Sequence, residues 1–158
     1  MKLPAHAEEI FNKVHAMLGL CYLVGGCVRD VLHGRDPEDL DFTCGLPPDE
    51  IEKKVTEAGF KAYTLGKKFG TIGFKIDGHL IEVTTFRTEI YDGKSRYPKV
   101  EFVDNINADL ARRDFTINAI AMRLDGSLID PFGGQVDLES KIIKAVGNPG
   151  DRYYEDPL

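Results

Sequence analysis

Hydrophobic residues in this chain recur with helical spacing in some segments and form short continuous or alternating runs in others. Residues 5–18 place apolar side chains every three or four positions, which is typical of an amphipathic helix. The apolar run 20–24 stops at Gly25-Gly26 and predicts a buried strand. Helices are predicted at 5–18, 27–32, 51–58, 106–112, 115–122 and 136–141.

The middle of the chain has the residue types and the alternation of a β-sheet. Asp77-Gly78 between two apolar segments is a strong β-hairpin signal. Residues 88–99 are polar and predict a loop. Strands are predicted at 20–24, 39–42, 61–65, 71–76, 80–86, 100–103, 128–129 and 142–146. Because these helices and strands do not alternate regularly as βαβ units, we predict an α+β domain.

Composition narrows the class of protein. With 158 residues, 42% of them hydrophobic and 29% charged, the chain suits one globular domain, 1–158. It has no apolar run near the roughly 20 residues of a membrane span and no signal peptide, so we predict a cytoplasmic protein without a membrane partner. A net charge of −6 argues against a broad basic face for nucleic acid. Three cysteines without CxxC spacing favour neither a disulfide framework nor a zinc site.

Asp39 and Asp41 are the first candidate site residues. In a strand, alternate side chains point to the same face, so both carboxylates would lie opposite Leu40 and Phe42. Two neighbouring carboxylates repel each other unless a cation lies between them, which favours a hard divalent metal such as Mg²⁺. The alternative is a solvated strand edge or a helix cap, and the pair alone is a weak signal.

Gly25, Gly26 and Arg29 are the second candidate. Glycines let backbone N–H groups approach an anion at the start of a helix, and Arg29 adds a fixed positive charge. The alternative is a tight strand-to-helix turn with a surface arginine. The aspartate pair shortly downstream favours phosphate binding, since a metal site beside a phosphate site is typical of a nucleotidyl transferase.

Glu82 and the segment from Arg113 to Asn118 complete the candidates. Glu82 lies among apolar residues of a predicted strand, as either an exposed charge or a third member of the acidic cluster. The planar guanidinium of Arg113 is suited to bind triphosphate oxygens bidentately. Asn118 follows Asp114 by one helical turn and could share its face. The alternative is a helix with a basic patch and a second helix that Asp114 caps.

Together these segments resemble one known family. The chain is similar to the N-terminal catalytic head of class II tRNA nucleotidyltransferases, a group of CCA-adding and A-adding enzymes that includes bacterial poly(A) polymerases. The resemblance covers nearly the whole chain from Leu20 onward, and RRDFTINA is a highly specific string. The segments that carry it are LVGGCVRD, DLDF, IEVTTFR, RRDFTINAIA, IDPFGG and YEDPL.

The resemblance implies a polymerase-β-like nucleotidyltransferase fold, a small mixed sheet flanked by helices. It also implies template-independent addition of CMP or AMP, from CTP or ATP, to the 3′ end of tRNA with release of pyrophosphate. Asp39 and Asp41 would bind Mg²⁺, and Glu82 would belong to the same catalytic site. The residues that would contact the nucleotide are Gly25, Gly26, Arg29, Arg113, Asp114, Asn118 and Asp156.

Two further segments resemble parts of the family's head. Glu155 and Asp156 resemble the start of the motif that reads the base edge of CTP or ATP. The polar loop after Arg87 resembles the family's flexible loop in its tRNA nucleotidyltransferase version. In the family, neck, body and tail domains follow the head and hold tRNA. We expect residues 1–158 to lack them and to need a complementing body domain or chain.

Three functions stay open at this point. The motifs favour a head domain that adds CCA, CC or A to tRNA. The second possibility is transfer to another acceptor, by a poly(A) polymerase or by a nucleotidyltransferase that modifies a small molecule. The third is an isolated nucleotide-binding head that has no activity of its own without a partner body domain.

Overall fold

A mixed β-sheet with helices packed against it forms the centre of the molecule. The computed structural model describes residues 2–90 and 99–147. The strands are β1 Cys21–Val24, β2 Leu40–Cys44, β3 Thr71–Ile76, β4 His79–Thr85, β5 Arg87–Ile90, β6 Lys99–Phe102, β7 Ala121–Met122 and β8 Leu128–Ile129. The helices are α1 Ala5–Leu18, α2 Gly26–Leu32, α3 Pro48–Glu57, α4 Ile106–Ala111 and α5 Gly134–Glu139, with 3₁₀ turns at Lys67–Phe69 and Thr116–Asn118.

The strand order explains why distant segments meet. Among the described residues, six strands form one sheet in the order β3-β4-β2-β1-β7-β8, and β5 pairs separately with β6. Strands β2 and β4 run parallel, whereas the other neighbours in the large sheet run antiparallel. The predicted mixed sheet flanked by helices is therefore confirmed. Its two central strands are β2, which carries Asp41, and β1.

The main core lies between this sheet and the helices α1 and α3. The apolar stripe of α1 is buried, and its Phe11 ring meets Phe42 of β2 edge to face, with ring centroids 5.0 Å apart. Helix α3 buries Ile51 and Val55. Each such side chain stabilises the fold by about 1.5–3 kcal/mol relative to an exposed one, so β2 is firmly anchored. No helix in the described ranges is both long and apolar enough to cross a membrane.

Two predicted strands are wrong in this structure. Within 61–65 only Tyr63 pairs with the sheet, through an isolated bridge to Gly73. Within 142–146 only Ala145 forms a bridge, to Phe115. Both segments have strand-like composition, but neither runs alongside a partner for long enough to form a ladder.

Two other predictions are corrected. The predicted helix 115–122 is a 3₁₀ turn followed by strand β7, which pairs with Leu23 and Val24 of β1. Its second half, 119–122, is a short and fully apolar run, which has no period that separates a buried strand from a helix. The predicted loop 88–99 is too long at both ends. Residues 88–90 belong to β5 and residue 99 begins β6, and the two strands pair with each other. The rest of that loop, 91–98, lies outside the described residues.

Candidate active site

The acidic part of the candidate site is built on the parallel pair β2 and β4. Asp41 is the register partner of Glu82, so the two carboxylates lie side by side on one face of the sheet. The residues on either side of each acid, Leu40 and Phe42 in β2 and Ile81 and Val83 in β4, are buried in the core. The period of two therefore points Asp41 and Glu82 away from the core.

The Asp41 carboxyl group titrates well above an ordinary aspartate. Burial among the surrounding atoms raises the pKa of Asp41 from 3.8 to about 6, although part of the residue is open to solvent. The neighbouring charge of Glu82 raises this pKa further, Arg113 lowers it, and Asp39 adds a smaller upward contribution. The site thus concentrates negative charge at Asp41, with one guanidinium opposing it.

Asp39 lies just before β2, and its carboxylate is held by the neighbouring strand. Its Oδ1 accepts a hydrogen bond from the backbone N–H of Leu80 at 3.3 Å. In the described ranges no three carboxylate, imidazole or thiol side chains are gathered as a ready metal-binding group. Asp39 is therefore close enough to affect Asp41 electrostatically, while one of its oxygens faces the backbone of β4.

Two histidines hold the chain that leads into Asp39. His6 Nε2 donates to the carbonyl of Pro37 at 3.0 Å, and His79 Nδ1 donates to the carbonyl of Glu38 at 2.6 Å. The two imidazole rings stack with centroids 5.2 Å apart. Because the rings come from α1 and β4, they fix the approach to β2 from two separate elements.

Gly25 is the residue that brings the acidic and basic parts of the site together. It has a φ of +75°, a conformation that favours glycine. A Cβ at this position would lie 3.7 Å from Asp41 Oδ2 and 3.9 Å from Arg113 Nη1. The missing side chain thus leaves space between a carboxylate and a guanidinium at the bend from β1 into α2.

Arg29 lies over Gly26 and is held by the 3₁₀ turn at Thr116–Asn118. A Cβ on Gly26 would lie 3.3 Å from Arg29 Nη2. Arg29 Nη1 donates to Asn118 Oδ1 at 2.9 Å, and Asn118 Nδ2 donates to Asp114 Oδ1 at 3.1 Å. The sequence placed Asp114 and Asn118 on one face of a helix. Their side chains do meet, although the turn between them is 3₁₀.

Arg113 is held by a buried carboxylate that the sequence analysis missed. Its Nη2 donates to Asp109 Oδ2 at 3.1 Å, and the Asp109 side chain is 0% exposed. The signal was present in the sequence. Asp109 lies three residues after Ile106 and directly before Leu110, hence on the apolar face of α4. An acid on that face needs a buried partner, and the adjacent arginines supply it.

The DPFGG segment supports the turn that holds Arg29. Asp130 accepts hydrogen bonds from the backbone N–H groups of Gly134 and Gln135 at 2.7 and 3.0 Å, at the start of α5. Asp137 of the same helix accepts a bond from the Thr116 hydroxyl at 2.6 Å. This bond fastens α5 to the turn at Thr116, and Asn118, which holds Arg29, follows two residues later in the same turn.

Asp156 and Glu155, together with 91–98, lie outside the described residues, so their roles stay predictions. The cysteines are free and buried, and burial raises the pKa of the Cys27 thiol to about 12. Cys21 and Cys27 pack among the apolar side chains of the main core.

Replacing Asp41 with asparagine is expected to raise the melting temperature at pH 7.5. Since the folded pKa lies above the unfolded one, the folded state binds the proton more tightly, and stability falls as pH rises from about 4 to 6. An asparagine has no such charge, so the difference from wild type should appear above pH 6 and vanish below pH 4. Calorimetry in a chelating buffer measures it. Asp36→Asn, in the exposed loop before β2, is the matched control, and a lower melting temperature for Asp41→Asn would contradict the argument.

Comparison with known proteins identifies the family. The profile described as the poly A polymerase head domain matches residues 21–144. The chain belongs to this family. A CCA-adding enzyme of Bacillus pumilus is 43% identical over 154 residues, which are 97% of this chain and 38% of that enzyme. The chain thus spans well under half the length of this relative, and the predicted resemblance to CCA-adding enzymes is confirmed.

Solved structures agree with this assignment. A Bacillus stearothermophilus CCA-adding enzyme in complex with CTP has 40% identity and a TM-score of 0.79, over 99% of this chain and 37% of that one. A tRNA nucleotidyltransferase complexed with a primer tRNA and an incoming ATP analog has 33% identity and a TM-score of 0.70, over 93% of this chain and 41% of that one. The polymerase-β-like head predicted from the motifs is therefore the fold of this chain.

Proposed function

We propose that this chain is the catalytic head of a tRNA nucleotidyltransferase that adds CMP, AMP or both to the 3′ end of tRNA and releases pyrophosphate. The observation that carries the proposal is that Asp41 Oδ2 and Arg113 Nη1 both lie within 4 Å of the position that a Cβ of Gly25 would take. A carboxylate for a cation and an arginine for phosphate, beside one open bend, are the groups that transfer from a nucleoside triphosphate requires. The CTP bound by one relative, and the primer tRNA and ATP analog bound by another, support CTP, ATP and tRNA as its substrates.

Mg²⁺ fits the acidic part of the site. Burial is the largest cause of the raised pKa of Asp41, and repulsion from the Glu82 carboxylate is the second. A bound cation would oppose both effects, because it favours the charged form of the carboxyl group. Asp39 and Asp41 would hold the metal, and Glu82 would complete its site or orient the attacking hydroxyl. When bound, the metal would lower the pKa of the RNA 3′-hydroxyl and neutralise charge on the leaving pyrophosphate.

The protein's own contribution is to position the triphosphate. Arg113 supplies a guanidinium group near Gly25 and Arg29 supplies one near Gly26, at a bend where backbone can approach phosphate oxygens closely. Asn118 holds Arg29, and Asp114 holds Asn118. With the β- and γ-phosphates fixed, the 3′-hydroxyl attacks the α-phosphorus, the bond to the β-phosphate oxygen breaks, and pyrophosphate leaves.

An incorporation assay tests the function. Labelled CTP or ATP is offered with tRNA that lacks all three terminal nucleotides, only the last one, or none. The chain is used alone and fused to the remainder of the Bacillus pumilus enzyme, since the matched part is 38% of that relative. We expect Mg²⁺-dependent addition of C, A or both by the fusion. The particular tRNAs extended distinguish CCA, CC and A addition.

Other outcomes separate the alternatives. Repeated AMP addition to any RNA would indicate a poly(A) polymerase, as the family's description allows. Nucleotide binding without incorporation by the fusion would indicate a non-catalytic head. Transfer to a small acceptor but not to RNA would indicate a small-molecule nucleotidyltransferase. Each of these results would contradict the proposed tRNA activity.

Replacing Asn118 with alanine is expected to weaken CTP binding about fivefold, because Arg29 loses the acceptor that holds it over Gly26. Isothermal titration calorimetry with CTP and Mg²⁺ measures the change. Asn12→Ala is the matched control, since Asn12 is an exposed residue of α1 that bonds only its own helix. Equal affinities for the two variants would show that Arg29 needs no such support.

A further inference from the structure

Asp109 is a buried acid with no direct part in the reaction described above. Its side chain is 0% exposed, and each of its oxygens has a donor. Oδ1 accepts from the backbone N–H of Arg87 and Oδ2 from Arg113 Nη2, both at 3.1 Å. Arg112 Nη2 lies 3.6 Å from Oδ1. A buried charge with this set of donors is fixed in place, because any movement would leave it unpaired.

The contact with Asp109 determines which edge of Arg113 faces the site. Nη2 is occupied by Asp109, and Nε is buried without a hydrogen-bond partner. Nη1 is the nitrogen that lies near the bend, 3.9 Å from where a Cβ of Gly25 would be. The guanidinium is therefore clamped at one end and presented to the site at the other.

A competing acceptor lies beside the same bend. Asp41 Oδ2 is 3.7 Å from the Gly25 Cβ position, to which Arg113 Nη1 is also close, and the charge of Arg113 already acts on Asp41. An arginine released from Asp109 would have this carboxylate as a nearby charged partner. A contact of that kind would occupy the cation-binding acid and the phosphate-binding base together.

We infer that Asp109 is a positioning residue, which directs Arg113 at the triphosphate and keeps it from turning onto Asp41. The inference rests on the proposed function, because it assumes that Arg113 binds the β- and γ-phosphates. It predicts an effect that depends on those phosphates. A general loss of packing around α4 would instead weaken every nucleotide alike.

The test compares CTP with CMP, which lacks the β- and γ-phosphates, by calorimetry in the presence of Mg²⁺. Asp109→Asn keeps the size and an acceptor for the Arg87 N–H but removes the charge. We expect CTP to bind about tenfold more weakly and CMP to change little. Ile51→Val, a buried change in α3 far along the chain from this network, is the control for lost packing and should leave the ratio of the two affinities unchanged.

A double-mutant cycle tests whether Asp109 acts through Arg113. In an Arg113→Ala background, Asp109→Asn should produce no further change in the ratio of CTP to CMP affinity. Equal weakening of CTP and CMP, or an effect of full size in the Arg113→Ala background, would overturn the inference.

A second variant covers the case in which Asp109→Asn does not fold. Arg113→Lys leaves Asp109 in place and keeps the positive charge, but an ammonium cannot bridge two acceptors in a fixed plane. This variant should bind CTP no more tightly than CMP. A ratio of CTP to CMP affinity equal to that of the wild type would overturn the inference. A wild-type chain that binds no CTP would refute the proposed function itself, whereas wild-type binding with an unaffected Asp109→Asn variant refutes only the role of Asp109.

Discussion

Replacing Asp41 with alanine will abolish Mg²⁺-dependent nucleotide incorporation, with a loss of at least about a thousandfold. Asp41 is the acid on which the site converges, since Glu82 is its register partner and Gly25 opens the space beside Oδ2. Asp41→Asn should be equally inactive, because the amide keeps the shape and lacks the charge that a divalent cation requires. The incorporation assay on the fused chain measures both.

Two controls separate lost chemistry from lost folding. Asp36→Ala removes an exposed aspartate from the loop before β2 and should retain full activity. Asp41→Asn should also melt at a higher temperature than wild type at neutral pH, so its inactivity would not reflect unfolding. Wild-type turnover by Asp41→Ala would refute the assignment of Asp41 to the metal site.

The acidic half of the site follows largely from local sequence. A period of two, applied to β2 and β4, predicts that Asp41 and Glu82 both point away from buried neighbours. It does not predict that these residues are register partners. They are 41 positions apart in sequence, and parallel pairing between non-consecutive strands depends on the whole sheet and on no single segment.

The basic half of the site depends on contacts that local patterns do not encode. Arg29 and Asn118 are separated by 89 residues and meet because β7 pairs with β1. The sequence analysis read the segment after Asn118 as helix, since a fully apolar run fits a helix and a buried strand equally well. Asp109 was missed for a related reason. Its position on the apolar face and the arginines three and four residues later were visible, but its contact with the Arg87 N–H was not.

The segment IDPFGG, 129–134, is one of the strings that carry the family resemblance. What its glycines do physically can be seen only from how they pack in the structure. Gly134 begins α5 and lies directly against the backbone of Thr116, in the turn whose Asn118 holds Arg29. Gly134 therefore acts on the site through the turn that it packs against, since Asn118 of that turn accepts the hydrogen bond from Arg29.

Replacing Gly134 with alanine is expected to destabilise the protein by about 3 kcal/mol. An added Cβ would overlap the carbonyl oxygen of Thr116 and lie 2.8 Å from its carbonyl carbon and 2.9 Å from Ile120 Cδ1. Two of these three atoms belong to backbone, which cannot move aside as a flexible side chain does. The turn would have to shift, and α5 is fastened to it through Asp137 as well. Urea unfolding measures the free energy of unfolding.

Gly133→Ala provides the matched comparison, because Gly133 is the preceding residue and a Cβ there would meet nothing within 4 Å. Its φ of +71° disfavours alanine, so we expect a loss of about 1 kcal/mol from backbone strain alone. The excess for Gly134→Ala then isolates the steric contact with Thr116. Since that contact sets the position of Asn118 and Arg29, the variant should also bind CTP more weakly at a temperature where it remains folded. Equal destabilisation by the two substitutions would show that α5 does not press against the turn as closely as this packing requires.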